Sequence, residues 1–245
     1  MQVHQVKGRH VNSYIIEGTD GLAVVDVAYR GEKYVLGYIR EVMGRQPADV
    51  SLVLCTHGDP DHGGGLRQLA AACNAMIAVP YATGSTRRKL LNDPTGIFYR
   101  LVTSLIEGLR PRAWAMYASP HRDTAARLLP TYEVLQDSHS HQFNGKPDFR
   151  LKHGHHLPGF PEWRVIHTPG HSWDSCCYLH ESKGVLISGD TLLGSGKKNQ
   201  LVTPSVLSNP AQMKQTIKTL QSLTLTAVYP GHGHILEGRH LLDHL

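Results

Sequence analysis

The 245-residue sequence has little of what secreted, membrane-spanning or disulfide-stabilised proteins contain. Its four cysteines show no CxxC spacing and two of them are adjacent, so a simple disulfide framework is not expected. No apolar run approaches the ~18 residues of a membrane span, and the first residues lack the apolar core of a signal peptide. We therefore expect a cytoplasmic protein without a membrane span.

A strong charge imbalance is also missing. The net charge is +5 and the pI about 9.0, which weakly favours acidic substrates or surfaces. The basic residues are scattered, apart from residues 87–89 and 197–198, so a nucleic-acid partner is not expected. The composition is otherwise ordinary for a globular protein, and the 17 histidines are its anomaly.

Imidazoles and carboxylates are concentrated in one stretch, which contains His57, Asp59, Asp61 and His62. The apolar run before it predicts a buried strand, and glycines 63–65 precede a helix-forming segment, so the four side chains fall on the loop between them. Groups packed this densely repel one another and lose hydration, a cost that a divalent cation offsets. A polar turn would explain the aspartates and glycines, but not two histidines bracketing two aspartates.

Strands and helices alternate along the first third of the chain, which predicts an α/β layered domain. Strands are expected at residues 11–16, 22–27, 49–54 and 75–79, and helices at 31–43 and 66–72. Asp26, at the end of the second strand, is interpreted as a cap or turn residue rather than a neighbour of the site. Histidines 153, 155 and 156 are interpreted as solvated residues of a connector between strands at 149–151 and 163–166.

The character of the sequence changes at residues 84–135, which we interpret as a helical insert. Residues 97–106 place six apolar side chains on one helical face, and more helical sequence follows at 124–129. Packing on the core or on a second subunit is the commoner fate of such a face. The alternative is that the insert covers an apolar substrate.

Three later stretches repeat the pattern of a strand followed by glycine and a potential ligand. The ligands are His171, Asp190 and His232, each directly preceded by glycine. Together with the loop at residues 57–62, these motifs resemble the metallo-β-lactamase superfamily, mostly hydrolytic metalloenzymes with an αββα fold. The resemblance covers nearly the whole chain. It implies one domain, residues 1–245, built as a four-layer α/β sandwich of two mixed sheets, with residues 84–135 inserted.

Carried over by position, the resemblance implies two divalent metal ions, held by His57, Asp59 and His171 and by Asp61, His62 and His232, with Asp190 bridging them. Zinc is the first expectation. Most members have histidine where this chain has Asp59, and a carboxylate there favours iron or manganese, as in flavodiiron proteins. Asp59 standing away from the metal would leave a mononuclear site instead.

The resemblance also implies a reaction, namely attack of a metal-bound hydroxide on an ester, thioester or lactone. Asp61 is the residue expected to orient the water or to shuttle its proton. A phosphodiesterase and an iron-dependent oxidoreductase are the alternatives, and a metal-free binding protein is disfavoured because all seven ligand positions are kept. The expected partner is a small, acyl-bearing molecule, and a homodimer is left open.

Overall fold

The computed structural model describes residues 2–8, 11–111, 143 and 145–245. The first sheet has six strands in the spatial order of the chain. The first two strand pairs are antiparallel and the following three are parallel, so the sheet is mixed. Its strands are β1 (Val3–Lys7), β2 (Asn12–Glu17), β3 (Leu22–Val25), β4 (Val50–Leu54), β5 (Met76–Pro80) and β6 (Phe149–Leu151).

The second sheet also has six strands, in the order β14-β13-β10-β9-β8-β7, and only its β10–β13 pair is parallel among the described strands. Two short strands pair beside it. These elements are β7 (His156–Leu157), β8 (Phe160–His167), β9 (Cys176–His180), β10 (Val185–Gly189), β11 (Leu193–Ser195), β12 (Gln200–Val202), β13 (Ala227–Pro230) and β14 (Leu236–Glu237).

The described helices are α1 (Glu32–Gly37), which continues as a π-helical turn (Tyr38–Val42), α2 (Pro60–Gly63), α3 (Leu66–Cys73), α4 (Thr86–Asn92), α5 (Gly96–Gly108) and α6 (Pro210–Gln221). Two 3₁₀ turns, Pro47–Asp49 and Glu181–Lys183, precede β4 and β10. None of these helices is long and apolar enough to cross a membrane.

Three apolar clusters separate the layers and establish the four-layer order. Val24, Val53 and Leu69 belong to the cluster between the first sheet and helices α1 and α3. Strand residues of both sheets form the middle cluster, which includes the fully buried Trp163. A third cluster packs α6 on the second sheet. The predicted αββα sandwich of two mixed sheets is therefore confirmed.

The described part of the predicted insert contains α4 and α5, while the helix predicted at residues 124–129 lies outside the described residues. The apolar face of α5 is mostly exposed: Ile97, Phe98, Leu101 and Leu105 are each more than half exposed. The expectation was that this face packs on the core or on a second subunit. These four side chains do not pack on the core, and packing on a second subunit stays a prediction. The predicted strands at 149–151 and 163–166 are present, the second within the longer β8.

Candidate metal centre

Four chain segments bring their polar side chains to the same edge of the sandwich. Parallel strands present their carboxyl ends at one edge, which is where α/β folds collect ligand-binding groups. Strand β4 leads into the loop of His57 and α2, whereas β10 and β13 lead to Asp190 and His232. The turn after β8 brings His171 to the same place.

All seven predicted ligands converge there, six of them in two separate triplets and Asp190 in a third group with His57 and His62. One group is His57, Asp59 and His171, and the other is Asp61, His62 and His232, with the donor atoms of each group within 4.8 Å of one another. Asp190 lies between them, because its Oδ1 is 3.4 Å from both His62 Nε2 and His232 Nε2 and its Oδ2 is 3.7 Å from His171 Nε2.

Hydrogen bonds on the outer ring nitrogens aim the inner nitrogens of three imidazoles into the cluster. His62 Nδ1 donates to Asp26 Oδ2 at 2.8 Å, and His171 Nδ1 donates to the Val206 carbonyl at 2.8 Å. His57 Nδ1 lies 3.1 Å from Thr56 Oγ1. A histidine whose Nδ1 donates in this way carries its lone pair on Nε2, as a metal ligand must.

The inner atoms have no hydrogen-bond partner in the described part of the chain. These buried atoms are His57 Nε2, His62 Nε2, His171 Nε2 and Asp190 Oδ1. Leaving such an atom unsatisfied costs about 1–3 kcal/mol, so four of them around one point require compensation. Nitrogen and carboxylate donors at this spacing fit divalent transition metals, and the residues present therefore suit a metal centre.

The electrostatics of the cluster also demand positive charge. Burial by itself would raise the pKa of Asp190, but His232 and His62 hold that pKa well below its usual range. Burial lowers the pKa of His232, whereas Asp190 and Asp61 raise it to about 9. The carboxylates thus stay ionised and attract either protons on the imidazoles or a cation in their place.

Asp26 corrects an interpretation made from the sequence. It was expected to cap or turn the chain, yet its buried carboxylate accepts hydrogen bonds from the Thr56 backbone N–H at 2.6 Å and from His62 Nδ1. Its backbone has a φ of 60°, a left-handed conformation that is strained for a residue with a side chain. The end of a strand next to a ligand loop was the sequence signal that could have identified it.

Two glycines are required where the ligand segments meet. A Cβ atom on Gly231 would stand 2.6 Å from His62 Cε1 and 2.7 Å from Asp190 Oδ1, so any side chain would enter the cluster. Gly189 has a φ of 50° and faces the Thr56 side chain. The pattern of glycine before each ligand therefore reflects close packing as well as turning of the chain.

Sequence reasoning missed two further residues that contact the ligand loops. Asp174 is buried and accepts hydrogen bonds from Gly58 N at 3.0 Å and Thr83 Oγ1 at 2.7 Å, and it pairs with Lys89 of α4 at 2.9 Å. Arg100 of α5 donates to Asp59 Oδ2. Arg100 lies among the apolar residues of its helix, and no local pattern distinguishes it.

The fold is shared with solved structures of low sequence identity. A metallo-beta-lactamase family protein from Thermus thermophilus superposes with a TM-score of 0.63 at 20% identity, covering 99% of this chain and 77% of that protein. The subclass B3 metallo-beta-lactamase BJP-1 of Bradyrhizobium japonicum gives a TM-score of 0.55 at 18% identity, covering 94% and 74%. These similarities establish the fold.

Sequence relatives include an "Atrochrysone carboxyl ACP thioesterase" of Aspergillus fumigatus, 28% identical over 165 residues, which covers 64% of this chain and 37% of the relative. The chain spans about a fifth to a half of the length of the first relatives that it matches. A family model described as the metallo-beta-lactamase superfamily matches residues 6–232. This match includes every residue of the cluster, and the chain belongs to the metallo-beta-lactamase superfamily.

Proposed function

We propose that this chain is a metal-dependent hydrolase that cleaves thioesters and related esters with two divalent cations. The observation that carries the proposal is the convergence of seven donor residues. The inner atoms of His57, His62, His171 and Asp190 have no hydrogen-bond partner in the described part of the chain. His57, Asp59 and His171 would hold one cation, and Asp61, His62 and His232 the other, with Asp190 between them. Zinc is our first choice, because histidine supplies four of the seven donors.

Bound cations of this kind supply Lewis acidity, lowering the pKa of a water molecule from ~15.7 toward ~7 and polarising a carbonyl oxygen. The chain contributes positioning and proton handling. Asp61 is half-buried and lines a cleft beside the cluster, so its carboxylate can accept a hydrogen bond from the attacking water. The water oxygen bonds to the carbonyl carbon, the C–S bond breaks, and the proton passes through an Asp61 carboxylate oxygen to the leaving thiolate.

The thioester choice is supported by the fungal relatives of this chain that are named atrochrysone carboxyl ACP thioesterases. The exposed apolar face of α5 is a suitable cover for an acyl chain, because Arg100 of the same helix contacts Asp59 at the cluster. We therefore include the insert at residues 84–135 in the proposal as a cover over the acyl group within a single domain.

Metal content and thioester hydrolysis measured together test this function. Protein purified without added metal is analysed by elemental analysis, stripped, reloaded with zinc, manganese or iron, and assayed for thiol release from a panel of acyl thioesters. We expect hydrolysis that requires about two equivalents of metal, and we expect Asp190→Ala to lose metal and hydrolysis together. Asp20→Asn, a change at an exposed turn, is the matched control.

Three results would overturn the proposal. One is Asp190→Ala protein with normal metal content and full activity, and another is no thiol release above background with any metal. The third is iron in quantity together with oxygen consumption, which would favour the oxidoreductase alternative. Including a phosphodiester in the panel tests the remaining alternative in the same experiment.

A further inference from the structure

A cleft of about 500 Å³ opens beside the candidate metal centre. Asp61 lines it, and so do Val6 of β1 and Ser13 of β2. Further lining comes from residues 28–31, which connect β3 to α1, and from Lys33 and Tyr34 of α1. A volume of several hundred Å³ is typical of a site for a small organic ligand. Because Asp61 belongs to both the cleft and the cluster, a ligand in the cleft reaches the reacting position.

Two aromatic rings and two cations give this cleft its chemistry. The Arg30 guanidinium lies 5.3 Å from the centre of the Tyr29 ring, and Lys33 Nζ lies 5.0 Å from the centre of the Tyr34 ring. Stacking of this kind restricts long side chains that would otherwise be mobile. All four residues line the cleft. The wall therefore combines apolar surface with two positive charges.

Neither cation forms a close ion pair with a carboxylate of the described residues. In the described part of the chain, no carboxylate lies within 4 Å of the Arg30 or Lys33 side-chain nitrogens. Glu32 stands between them in sequence. Burial raises the pKa of its carboxyl group, and the charges of Lys33 and Arg30 oppose that rise. The residue is only 7% exposed and does not line the cleft, so both cations remain available to a ligand there. Among the described lining residues, Asp61 is the one with a carboxylate, and it belongs to the candidate metal centre. Unpaired cations on a concave wall attract anions.

The backbone fixes the two cations relative to the reacting position. Arg30 has a φ of 60°, a left-handed conformation that costs a non-glycine residue about 1 kcal/mol or more. Tyr29 N donates to the Pro60 carbonyl at 3.0 Å and Val27 N donates to the His62 carbonyl at 2.8 Å. The segment that carries Arg30 is thus hydrogen-bonded to the segment that carries Asp61, and the distance between them is held.

We propose that the cleft between Tyr29 and Tyr34 binds an anionic group of the substrate, with Arg30 and Lys33 as the residues that recognise it. The substrate class is then an acyl thioester or ester that carries a carboxylate or phosphate at a distance from the bond that breaks. This inference rests on the proposed hydrolase function. The anion has two sources to distinguish, a carboxylate on the acyl chain or a phosphate on the thiol portion. Arg30 and Lys33 can pair with either group, because both are negatively charged.

Binding of non-hydrolysable thioethers tests the proposal without depending on turnover. One pair of probes carries a terminal carboxylate or its neutral amide on the acyl side, joined to N-acetylcysteamine. A second pair carries the same neutral alkyl chain on 4′-phosphopantetheine or on pantetheine. Each is titrated calorimetrically into metal-free and zinc-loaded protein, into the double variant Arg30→Gln/Lys33→Gln, and into the control Lys214→Gln/Arg239→Gln, whose changes are at exposed positions elsewhere.

We expect at least one anionic probe to bind about 10-fold more tightly than its neutral partner, and the difference to disappear in the Arg30/Lys33 variant but not in the control. The preference should also weaken at high salt. The pair that shows it identifies the source of the anion. Equal binding of both members of both pairs, or a preference that survives the double substitution, would overturn the proposal.

The outcome is separable from that of the proposed function. An anion preference without thioester hydrolysis would leave the cleft as a binding site and remove the hydrolase. Hydrolysis without any anion preference would support the hydrolase and remove the cleft as an anion-binding site. For the hydrolysed substrates, the same double variant should raise KM for the anionic thioester about 10-fold while leaving its kcat, and the KM of the neutral thioester, within about 2-fold.

Discussion

Replacing Asp26 with asparagine changes one buried atom and tests how the chain holds His62 ready for a metal. The Asp26 carboxylate accepts from Thr56 N at 2.6 Å, Thr56 Oγ1 at 2.9 Å and His62 Nδ1 at 2.8 Å. Asparagine has one acceptor oxygen and one amino group, so it cannot accept on both sides. Its amino group facing His62 Nδ1 favours the tautomer with the proton on Nε2, which removes the inward lone pair.

The expected loss follows from the energies of such contacts. Replacing a group that orients a ligating histidine costs about 10- to 100-fold in metal affinity, or about 1.4–2.7 kcal/mol. The metal-free protein should also lose about 1.5–3 kcal/mol of unfolding free energy, because a buried hydrogen bond to a charged group is broken. The zinc affinity of the triplet Asp61, His62 and His232 should decrease. The zinc affinity of the triplet His57, Asp59 and His171 should stay nearly unchanged.

Zinc titration of metal-free protein in competition with a chromophoric chelator measures both affinities, and urea unfolding measures stability. Asp20→Asn, an exposed aspartate changed in the same way, should match the unmodified protein in both assays. If Asp26→Asn unfolds cooperatively and binds zinc with two unchanged affinities, the argument that Asp26 sets the His62 tautomer is refuted.

Three further predictions concern the same centre. Gly231→Ala should abolish tight zinc binding, because the added Cβ would enter the cluster. Gly108→Ala is the control, since an added Cβ there meets nothing within 4 Å. Identical zinc titration curves for the two variants would contradict this prediction. Asp174→Asn should lower the unfolding free energy, measured in urea, by about 2–3 kcal/mol, because Lys89 and Gly58 N lose their charged partner. The surface change Asp148→Asn should lower it by less than about 1 kcal/mol. In metal-free protein, the pKa of His232 is raised to about 9, above its unfolded value of 6.5. Its stabilising contribution is therefore complete below pH 6.5 and lost as the pH rises through 9, and urea unfolding that is flat across this range would exclude it.

The layered fold and the seven converging side chains were predictable because local patterns determine both. Apolar runs between turn residues mark the strands, and a ligand directly after a strand must lie at the sheet edge. The resemblance to the superfamily predicted how the ligands divide into two triplets. The geometry matches this division, with His57, Asp59 and His171 in one triplet. That these residues ligate metal stays a prediction.

The contacts that orient the ligands were less accessible from sequence, since they join residues far apart in the chain. Asp26 reaches His62 across 36 positions, and Asp174 reaches Gly58 across 116. A lone aspartate at a strand end or in a turn has several ordinary explanations, such as capping, and spacing alone cannot choose among them. The cleft beside Asp61 was likewise hidden, because Val6 and Tyr34 meet only once the first sheet is formed.

The departure at Asp59 and the helical insert are parts of one arrangement. Asp59 Oδ2 lies 3.3 Å from His57 Nε2 and 3.5 Å from His171 Nε2, so a carboxylate occupies the place expected of an imidazole and adds a negative charge. Arg100 supplies the cation that offsets this charge, and it comes from α5 of the insert. The same helix hydrogen-bonds Leu207 through Thr103, next to the Val206 carbonyl that orients His171. Helix α5 therefore supports one triplet from two sides. Histidine at position 59 would remove the partner of Arg100 and leave its guanidinium facing the imidazoles of His57 and His171 without a carboxylate between them.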